Sequence, residues 1–419
     1  IAHSLEAAYE DVQPGMSTAE GIARTSILYL TPCIGKAECL MGNGEPTALV
    51  PTPEYLHSHK AFGIWSLPNG DNTDKTLREI MDLYASEQES NSWYGFFDYG
   101  DVMHTYDFSR GQWRYDVGGY AWDNTELASN AMFWYNFLRE GREQDWRLAV
   151  AITRHTAEVD CYHSGPHAGL GSRHNVSHWG CGAKEARISQ AFWNRFLYYL
   201  TADERTGDLM SEVTDADTLL YHLDPMRLAQ PRSDRFPCTA PARLRIGPDW
   251  MAYAGNWFTE WERTGNRKYY DKIIAGLQSI ANLPHGLFSG PKALGYDPAT
   301  GEISWEGDPA SQNTNHLLSI MGGFEMMNEM LLSIDYEPWN KVWLDHATHY
   351  KAKAWEISKN KFKVPRLQGY SYWKTGNRMV LDNAKKDMLI TPFDSKGVFS
   401  TNSCATWSLD AIFLKEVAR

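Results

Sequence analysis

The 419-residue sequence lacks long hydrophobic runs: its most apolar segments, such as 131–135, end after a few residues. A helix that crosses a bilayer needs about 20 such residues, so no membrane insertion is expected. The sequence also lacks an excess of basic residues, since 40 Lys and Arg stand against 52 Asp and Glu and the net charge is −12. Nucleic-acid binding requires a basic surface, so no nucleic-acid partner is expected either.

Several catalytic signatures are also missing. The six cysteines show no paired spacing typical of a zinc site. Cys33 and Cys39 are near enough in sequence to pair, Cys161 and Cys181 flank a histidine-rich segment, and buried free thiols are the alternative for all of them. There is no Gly-x-Ser-x-Gly nucleophile motif, no phosphate-binding loop and no dinucleotide-binding fingerprint.

Aromatic residues are abundant, with 17 Trp and 22 Tyr in a chain of otherwise ordinary globular composition. Most of them are expected to pack in the core, because large rings fill wide interiors. The surplus favours a carbohydrate ligand, since flat rings stack on the apolar faces of sugars.

Amphipathic helices recur along the chain and are separated by short polar turns. Turns at Gly141, Gly207, Gly265 and Asp335 follow one another at intervals of 66, 58 and 70 residues, and glycine there suits a left-handed helix C-terminus. Helices are predicted over 17–30, 75–86, 123–139, 145–158, 250–263, 267–281, 314–334 and 338–357.

This pattern predicts a mainly α fold, an (α/α)6-type toroid of αα-hairpins with a small irregular or β-containing C-terminal portion. The toroid is assigned to residues 1–360, and 361–419 to an appendage whose final helix, 401–418, packs on the same domain. An ordinary helical solenoid is the alternative, but its connections are short. Here the connections are long and rich in Gly, His and aromatic residues, and a toroid gathers them at one mouth.

The segment 162–179 is the densest cluster of functional residue types, and its glycines and proline make it a loop. It contains His163, His167, Arg173, His174 and His178. Zinc binding by His163 and His167, four residues apart, is disfavoured because Gly-Pro between them breaks the helix that would present both rings. We expect no metal site and no required cofactor, with Ca²⁺ left open.

The residue types in this loop favour β-elimination on a uronic acid. That reaction needs a cation to neutralise the carboxylate, a base near neutral pKa and an acid for the leaving oxygen. Arg173 is the predicted neutralising group, His174 or His178 the base or proton shuttle, and Tyr162 the acid, with Tyr120 as a further candidate. Asp123 is interpreted as a helix N-cap. Predicted substrate contacts are Trp122, Asn124, His163, His167, Trp179, Arg243, Arg245, Trp250, Asp98 and Asp101.

Two other functions remain open. A glycoside hydrolase would use a carboxylate pair, for which Asp98 and Asp101 come first and Asp123 and Glu126 second. A non-catalytic glycan-binding protein would use the aromatic residues alone. The loop between 162 and 179 favours the lyase, because it is rich in His and Arg rather than in Asp and Glu. In each case the partner is an oligo- or polysaccharide, acidic for a lyase.

Three runs, Trp-Tyr-Gly-Phe-Phe-Asp-Tyr-Gly-Asp at 93–101, Gly-Gly-Tyr-Ala-Trp-Asp-Asn at 118–124 and Gly-Ser-Arg-His-Asn-Val-Ser-His-Trp-Gly at 171–180, resemble the helical domain of the exo-rhamnogalacturonan lyases, polysaccharide lyase family 26. Arg-Ile-Gly-Pro-Asp-Trp at 245–250 fits the same resemblance. It implies an (α/α) toroid and cleavage, from a chain end, of a pectic backbone of alternating rhamnose and galacturonic acid. It also implies functional roles for Arg173, His174, His178 and Tyr120.

The sequence departs from that family at its start. Family members carry a sizeable β-rich domain before the helical one, whereas this chain begins almost directly in predicted helices. It is therefore either part of a longer protein or a compact relative with a different uronate-containing substrate. Because the first residue is Ile, the N-terminus is expected to have been processed or trimmed. The substrate class suggests a secreted or periplasmic protein.

Overall fold

The computed structural model describes residues 18–28, 48–114, 121–173, 178–226 and 239–419. Within these ranges the chain is mainly helical, and its strands are two or three residues long. The α-helices are α1 Pro53–Ser58, α2 Asn72–Ser90, α3 Ser129–Glu140, α4 Glu143–Glu158, α5 Ala191–Thr201, α6 Glu204–Glu212, α7 Met251–Thr264, α8 Arg267–Asn282, α9 Leu317–Ile320, α10 Gly323–Ser333, α11 Glu337–Ser358, α12 Pro365–Thr375, α13 Arg378–Asp387 and α14 Thr401–Val417.

Six helices form an inner ring, namely α3, α5, α7, α10, α12 and α14. Their side chains are buried around most of the helix circumference, as in α3, where every residue from Ser129 to Arg139 is buried. The outer helices α2, α4, α6, α8, α11 and α13 bury only one face, as the spacing of Leu77, Ile80, Met81 and Tyr84 in α2 shows. Inner and outer helices alternate along the chain, which confirms the predicted toroid of αα-hairpins.

The ring closes between the first and last inner helices, because α14 packs against both α3 and α12. A buried arginine, Arg366 of α12, joins three inner helices: its guanidinium contacts Glu325 of α10 at 2.5 Å and Asp410 of α14 at 2.7 Å. Gly369 lets α12 approach α14 closely, since a Cβ there would lie 2.7 Å from Leu414 Cδ2. Residues 401–417 are thus part of the toroid wall.

Most of the predicted turns are confirmed. Gly141 and Gly265 end α3 and α7 in the left-handed conformation, with φ of 63° and 70°, and residues 334–336 separate α10 from α11. The prediction for Gly207 was wrong, because this residue lies inside α6. Ala202, with φ of 56°, takes the left-handed position at the end of α5.

Short antiparallel strands occupy the connections between hairpins. The strands are β1 Val102–Met103, β2 Thr105–Asp107, β3 Gln112–Trp113, β4 Trp122–Asp123, β5 Gly171–Ser172, β6 Lys184–Glu185, β7 Ala242–Leu244, β8 Leu294–Tyr296, β9 Ile303–Ser304 and β10 Val398–Ser400. Among the described residues they form four small sheets. In these sheets β1 pairs with β4, β2 pairs with both β10 and β3, β5 pairs with β6, and β8 pairs with both β7 and β9.

Several segments differ from the prediction. The predicted helix 123–139 begins only at Ser129, after β4 and a 3-10 turn, and the predicted helix 314–334 is divided into α9 and α10. Residues 18–28 of the predicted helix 17–30 are not helical, because their backbone instead bonds Glu158, through Ala23 N to its carbonyl and Thr25 N to its carboxylate. Residues 365–387, expected to be irregular or β-containing, form α12 and α13. Pro365 begins α12 and Gly376 ends it in the left-handed conformation, so the two apparent helix breakers are helix boundaries.

The remainder of the C-terminal portion agrees with the prediction. Residues 388–400 contain only a short 3-10 turn and β10, and the final helix was expected at its observed place. A domain boundary at residue 360 stays a prediction. Among the described residues, none of the helices combines the length and the apolar character that a membrane crossing requires.

Candidate functional site

A cavity of about 440 Å³ lies at one mouth of the ring. Its wall comes from the segments that lead into the inner helices α3, α5, α7, α10 and α14. In a ring of alternating inner and outer helices these segments all meet at the same end, as expected for the long connections. The lining residues are His104, Trp122, Asp123, Asn124, Glu126, Leu127, Arg173, Arg187, Arg245, Leu317, Ile320, Met321 and Asn402.

Three arginines from two connections converge on this cavity, Arg173 and Arg187 from the one between α4 and α5 and Arg245 from the one before α7. Arg173 and Arg187 share Glu126, whose Oε1 lies 3.7 Å from Arg173 Nε and 3.4 Å from Arg187 Nη2. Arg187 is also held by Glu185 at 2.6 Å. The cavity thus gathers three guanidinium groups, beside carboxylates of the same wall, in a protein whose net charge is −12.

The third guanidinium, that of Arg245, is fixed in orientation by two carboxylates. Asp249 accepts from both Nε and Nη2, at 2.8 and 2.7 Å, and Glu185 accepts from Nη2 at 2.9 Å. This forked geometry is the one in which arginine binds carboxylates most strongly. Glu185 therefore links Arg245 to Arg187 across the cavity wall.

His104 is the imidazole that lines this cavity. Its Nδ1 lies 2.6 Å from Thr105 Oγ1. The pKa of His104 is lowered to about 4, by burial first and also by Arg173, while Glu126 opposes the shift. The ring is therefore neutral near pH 7.

The strand pair β1–β4 carries the aromatic and amide side of the wall. Val102 pairs with Asp123 and Met103 with Trp122, and the side chain of Asn124 donates to the carbonyl of Ser172. The interpretation of Asp123 as the N-cap of α3 was wrong. Asp123 lies in β4, and Asn124 instead caps the 3-10 turn Thr125–Leu127 that precedes α3.

A second cluster of polar side chains surrounds His155, which is fully buried in α4. Asp98 lies 2.8 Å from its Nδ1, and Asp101 lies 2.9 Å from its Nε2. Asp160 Oδ1 is 3.6 Å from His155 Nε2 and 3.7 Å from His178 Nε2. Burial opposes protonation of His155, but Asp101 and Asp160 outweigh it and raise the pKa of this ring well above its usual value.

The structure separates the first half of the histidine-rich loop from the cavity. His163 lies 2.6 Å from Glu212 Oε2 and 3.1 Å from the carbonyl of Glu158. His167 is buried beside the ring of Tyr162. The Tyr162 hydroxyl donates to the carbonyl of Thr18 at 2.7 Å, and burial raises its pKa to about 12. These three residues do not line the cavity, so the proton-donor role predicted for Tyr162 has no support in this geometry.

Other predicted contacts also lie away from the cavity. Trp250 is fully buried and packs on Gly276 of α8. Arg243 is buried and forms an ion pair with Asp224 at 2.8 Å. Trp179 donates to the carbonyl of Val159 and packs on Phe96. These side chains stabilise the wall rather than face a ligand in the cavity.

Two predicted residues, Tyr120 and His174, lie outside the described residues, in 115–120 and 174–177, and their roles stay predictions. Of the remaining predicted site residues, the structure brings together Arg173, Arg245, Trp122 and Asn124. His178, Asp98 and Asp101 belong to the cluster around His155.

Sequence reasoning missed Arg187 and His104. The signal for Arg187 lies in the structure rather than in the sequence: β5 pairs with β6, Gly171 with Glu185 and Ser172 with Lys184, and this pairing carries Arg173 and Arg187 to one side. His104 is a single histidine between two short strands, and nothing in its neighbourhood indicated a site.

A larger space of about 1130 Å³ lies on the outer side of the ring, against α4 and α6. Residues from 24–27 and 48–50 line this space. The segment 29–47 between them lies outside the described residues. The smaller cavity is the better candidate, because polar side chains from three connections and from the start of α14 converge on it.

Comparison with known proteins supports the fold. The family described as "PcRGLX-like protein C-terminal alpha/alpha toroid domain" matches residues 46–388. A relative from Bacillus subtilis (strain 168), named "Uncharacterized protein YetA", is 42% identical over 380 residues, which cover 88% of this chain and 43% of that protein. The chain therefore spans less than half the length of that relative.

One solved structure is weakly similar to this chain. It is the unsaturated glucuronyl hydrolase of Bacillus sp. GL1, responsible for the degradation of glycosaminoglycan. It is 13% identical with a TM-score of 0.48, over 81% of this chain and 96% of that chain. A likeness of this size carries no argument about activity. The family match covers most of the sequence and agrees with the ring of helices, and the chain belongs to the PcRGLX-like proteins as their C-terminal α/α toroid domain.

Proposed function

We propose that this domain cleaves a uronate-containing glycan by β-elimination in the 440 Å³ cavity. The observation that carries the proposal is the convergence of Arg173, Arg187 and Arg245 with a neutral His104 on one cavity of an acidic protein. Family membership favours a rhamnogalacturonan-like backbone attacked from a chain end, and a carbohydrate-active role in general.

The reaction makes specific demands on the site. A proton leaves C5 of the uronate, its electron pair forms the C4=C5 double bond, and the C4–O bond breaks as the leaving oxygen takes up a proton. Negative charge builds on the carboxylate in the transition state, so fixed cations around that group lower the barrier. Removing one such group typically costs 100- to 1000-fold in rate.

We assign the carboxylate-binding role to Arg173 and Arg187, with Arg245 as a fixed neighbour. Arg173 and Arg187 lie 3.7 and 3.4 Å from Glu126. These distances are longer than a strong charge-assisted hydrogen bond of about 2.8 Å, so a substrate carboxylate can compete with Glu126 for both guanidinium groups. Among the described residues His104 takes the proton-accepting position. A bound carboxylate offsets the charge of Arg173, which is one cause of the low pKa of His104.

The roles of His174 and Tyr120 remain part of the proposal. In the sequence His174 follows Arg173, which lines the cavity, and Tyr120 precedes Ala121, the neighbour of the lining residue Trp122. Trp122 offers its ring to a sugar face. The chemistry requires no cofactor, because guanidinium groups supply the positive charge. A polymeric acidic substrate also leads us to propose a secreted or periplasmic location.

A glycoside hydrolase is the second candidate, because Asp123 and Glu126 line the same cavity. A hydrolase needs two carboxyl groups across the scissile bond, one of which donates a proton. Glu126 lies between two guanidinium groups, which is the setting of an ion pair rather than of a proton donor. Asp98 and Asp101, the pair first considered, both contact His155 instead.

The test is an ultraviolet-monitored screen over acidic polysaccharides. We expect wild-type protein to release a product with the absorbance of an unsaturated uronide, and Arg187→Ala to be at least 100-fold slower, by the typical loss for one charge-stabilising donor. Arg147→Ala is the matched control, since Arg147 is exposed and, within the described part of the chain, pairs with Glu143 in the same helix; it should keep full activity.

Two outcomes would contradict this proposal. Release of reducing ends without the unsaturated absorbance, abolished in Asp123→Asn, would establish the hydrolase. Full lyase activity in Arg187→Ala would show that the reaction occurs at another site.

A further inference from the structure

The cluster around His155 brings two imidazoles and two carboxylates to one point. Ligand atoms of Asp101, His155 and His178 all lie within 4.8 Å of one another. Asp160 Oδ1 lies 3.6 and 3.7 Å from the Nε2 atoms of His155 and His178, so it faces the same point. The four residues come from three separate segments of the chain.

We propose that these four side chains bind a divalent transition-metal ion of the Zn²⁺ class. Imidazole nitrogen combined with carboxylate oxygen is a donor set typical of such ions, and four donors suit tetrahedral zinc. Ca²⁺ fits less well, because it takes six to eight oxygen ligands. The proposed ion departs from the expectation of no metal, and it uses neither His163 nor His167.

Asp98 supplies an orienting contact outside this set. Its two carboxylate oxygens lie 2.8 and 2.9 Å from His155 Nδ1. A histidine that binds metal through one nitrogen generally donates the other N–H to a carboxylate or carbonyl, which fixes the ring. Asp98 therefore directs His155 Nε2 toward Asp101, Asp160 and His178.

The backbone around the cluster holds its residues in uncommon conformations. Phe96, Phe97, Tyr99 and His178 all have positive φ, between 48° and 68°. Non-glycine residues are strained in this region and concentrate at functional sites. The surrounding packing maintains these conformations.

Close packing brings the 95–101 loop onto helix α4. A Cβ on Gly100 would lie 2.3 Å from both the Ala151 carbonyl oxygen and His155 Cβ. Phe96 and Trp179 then cover His178, with ring centroids 4.9 and 4.7 Å from its own. The cluster is therefore rigid, largely shielded from water and approachable past the partly exposed His178, whose side chain is 13% exposed.

The position of the cluster gives the proposed ion a structural role. Asp101 directly precedes β1, which pairs with β4 and so with Asp123 in the cavity wall. The carbonyl of Asp160 accepts from Ser172 N, beside Arg173. An ion bound here ties both parts of the wall to helix α4. Metal binding itself does not depend on the proposed reaction.

The competing account is a metal-independent network, in which a protonated His155 bridges Asp98 and Asp101. The test is metal binding by the intact chain after chelation and gel filtration. Mass spectrometry measures metal content after reconstitution with Zn²⁺, calorimetry measures affinity, and the visible spectrum after Co²⁺ loading reports the coordination geometry.

We expect about one equivalent of Zn²⁺ per chain and a tetrahedral Co²⁺ spectrum. His178→Gln and Asp101→Asn should weaken Zn²⁺ binding by about 100-fold or more, since loss of a ligand exceeds the 10- to 100-fold effect of losing an orienting partner. His163→Gln is the matched control, because this histidine lies in the same loop but contacts Glu212. It should bind Zn²⁺ as the wild type does.

Circular dichroism of each variant distinguishes lost binding from lost folding, and His178→Gln, near the surface, is the variant best able to fold. Absence of saturable Zn²⁺ binding by folded wild-type protein would overturn the proposal. Unchanged affinity in both folded variants would overturn it equally. Because none of these readouts measures catalysis, failure here and failure of the proposed lyase reaction remain distinguishable.

Discussion

Glu126 is the residue on which the electrostatics of the cavity depend most. It contacts Arg173 and Arg187, and it opposes the lowering of the pKa of His104 that burial and Arg173 cause. Without a ligand, Glu126 neutralises the charge of the two partly buried guanidinium groups, which would otherwise repel each other. We propose that a substrate carboxylate of the same charge and shape takes its place, which would favour uronates over neutral sugars.

A second residue-scale feature is His346, a fully buried histidine in α11. Its ring packs among Phe288, Trp343 and Tyr350. Burial lowers its pKa to about 3, whereas the unfolded chain has a value near 6.5. The unfolded state therefore takes up the proton first as the pH falls.

We predict that this histidine makes the protein less stable in mild acid. Its contribution is fully present above pH 6.5 and is lost progressively toward pH 3, by about 2 kcal/mol at pH 5. His346→Phe keeps the aromatic packing and removes the titrating group. Denaturant unfolding measures the free energy of unfolding at pH 7.5 and at pH 5. The decrease between the two pH values should be smaller in His346→Phe than in the wild type by about 2 kcal/mol.

His349→Gln is the control for this measurement, because His349 lies on the same helix but its side chain is 58% exposed. It should leave the loss between pH 7.5 and pH 5 unchanged. An unaltered pH dependence in His346→Phe would contradict the argument.

At the scale of the elements, four of the inner helices end in a tight left-handed turn toward their outer partners. Gly141, Gly265 and Gly376 occupy the left-handed position after α3, α7 and α12. Ala202 occupies it after α5, although its Cβ disfavours that conformation. Alanine costs about 1–2 kcal/mol more than glycine in this backbone region, partly offset by the larger entropy of glycine in the unfolded chain.

A reciprocal pair of substitutions tests this account. Ala202→Gly should raise the free energy of unfolding by about 1 kcal/mol and Gly265→Ala should lower it by about the same amount. A Cβ at Gly265 meets no atom within 4 Å, so packing does not complicate the comparison. The midpoints of denaturant unfolding measure both changes, provided that the slope of the unfolding free energy against denaturant concentration stays constant. Shifts in the same direction for both variants would show that backbone conformation is not the cause.

The element scale also shows how far sequence patterns reach. Apolar periodicity located α2, α4, α7, α8 and α11 to within a few residues, because each needs one buried face. The same reasoning misassigned Gly207, since glycine serves both as a helix end and as a point of close approach. A Cβ on Gly207 would lie 2.8 Å from Tyr198 Cε2, so close packing accounts for this glycine.

The candidate site was only partly predictable for a related reason. Arg173, Arg245, Trp122 and Asn124 stood out because they lie in loops rich in Gly, Pro or aromatic residues. His155 gave no signal, since it is one histidine in an amphipathic helix whose carboxylate neighbours come from another loop. Asn402 reaches the cavity only because α14 closes the ring, which no local pattern indicates.

For the whole molecule, ring closure determines where chemistry is possible. Arg366 joins three inner helices through buried charge pairs, and breaking such a pair from one side typically costs about 3–5 kcal/mol. The closed ring holds five connections at one mouth, and three arginines meet there in a protein of net charge −12. An acidic protein does not attract an anionic polymer over its whole surface, so the proposed binding of an acidic glycan relies on this mouth.

The mass balance of cleavage tests the central claim most directly. An acidic oligosaccharide of defined length, ending in a uronate-containing repeat, is incubated with the protein, and both products are weighed by mass spectrometry. β-Elimination adds no water, so the account predicts two product masses that sum to the substrate mass, with the double bond on the uronate fragment. Products whose masses exceed the substrate by one water molecule would contradict the account and assign the cavity to hydrolysis.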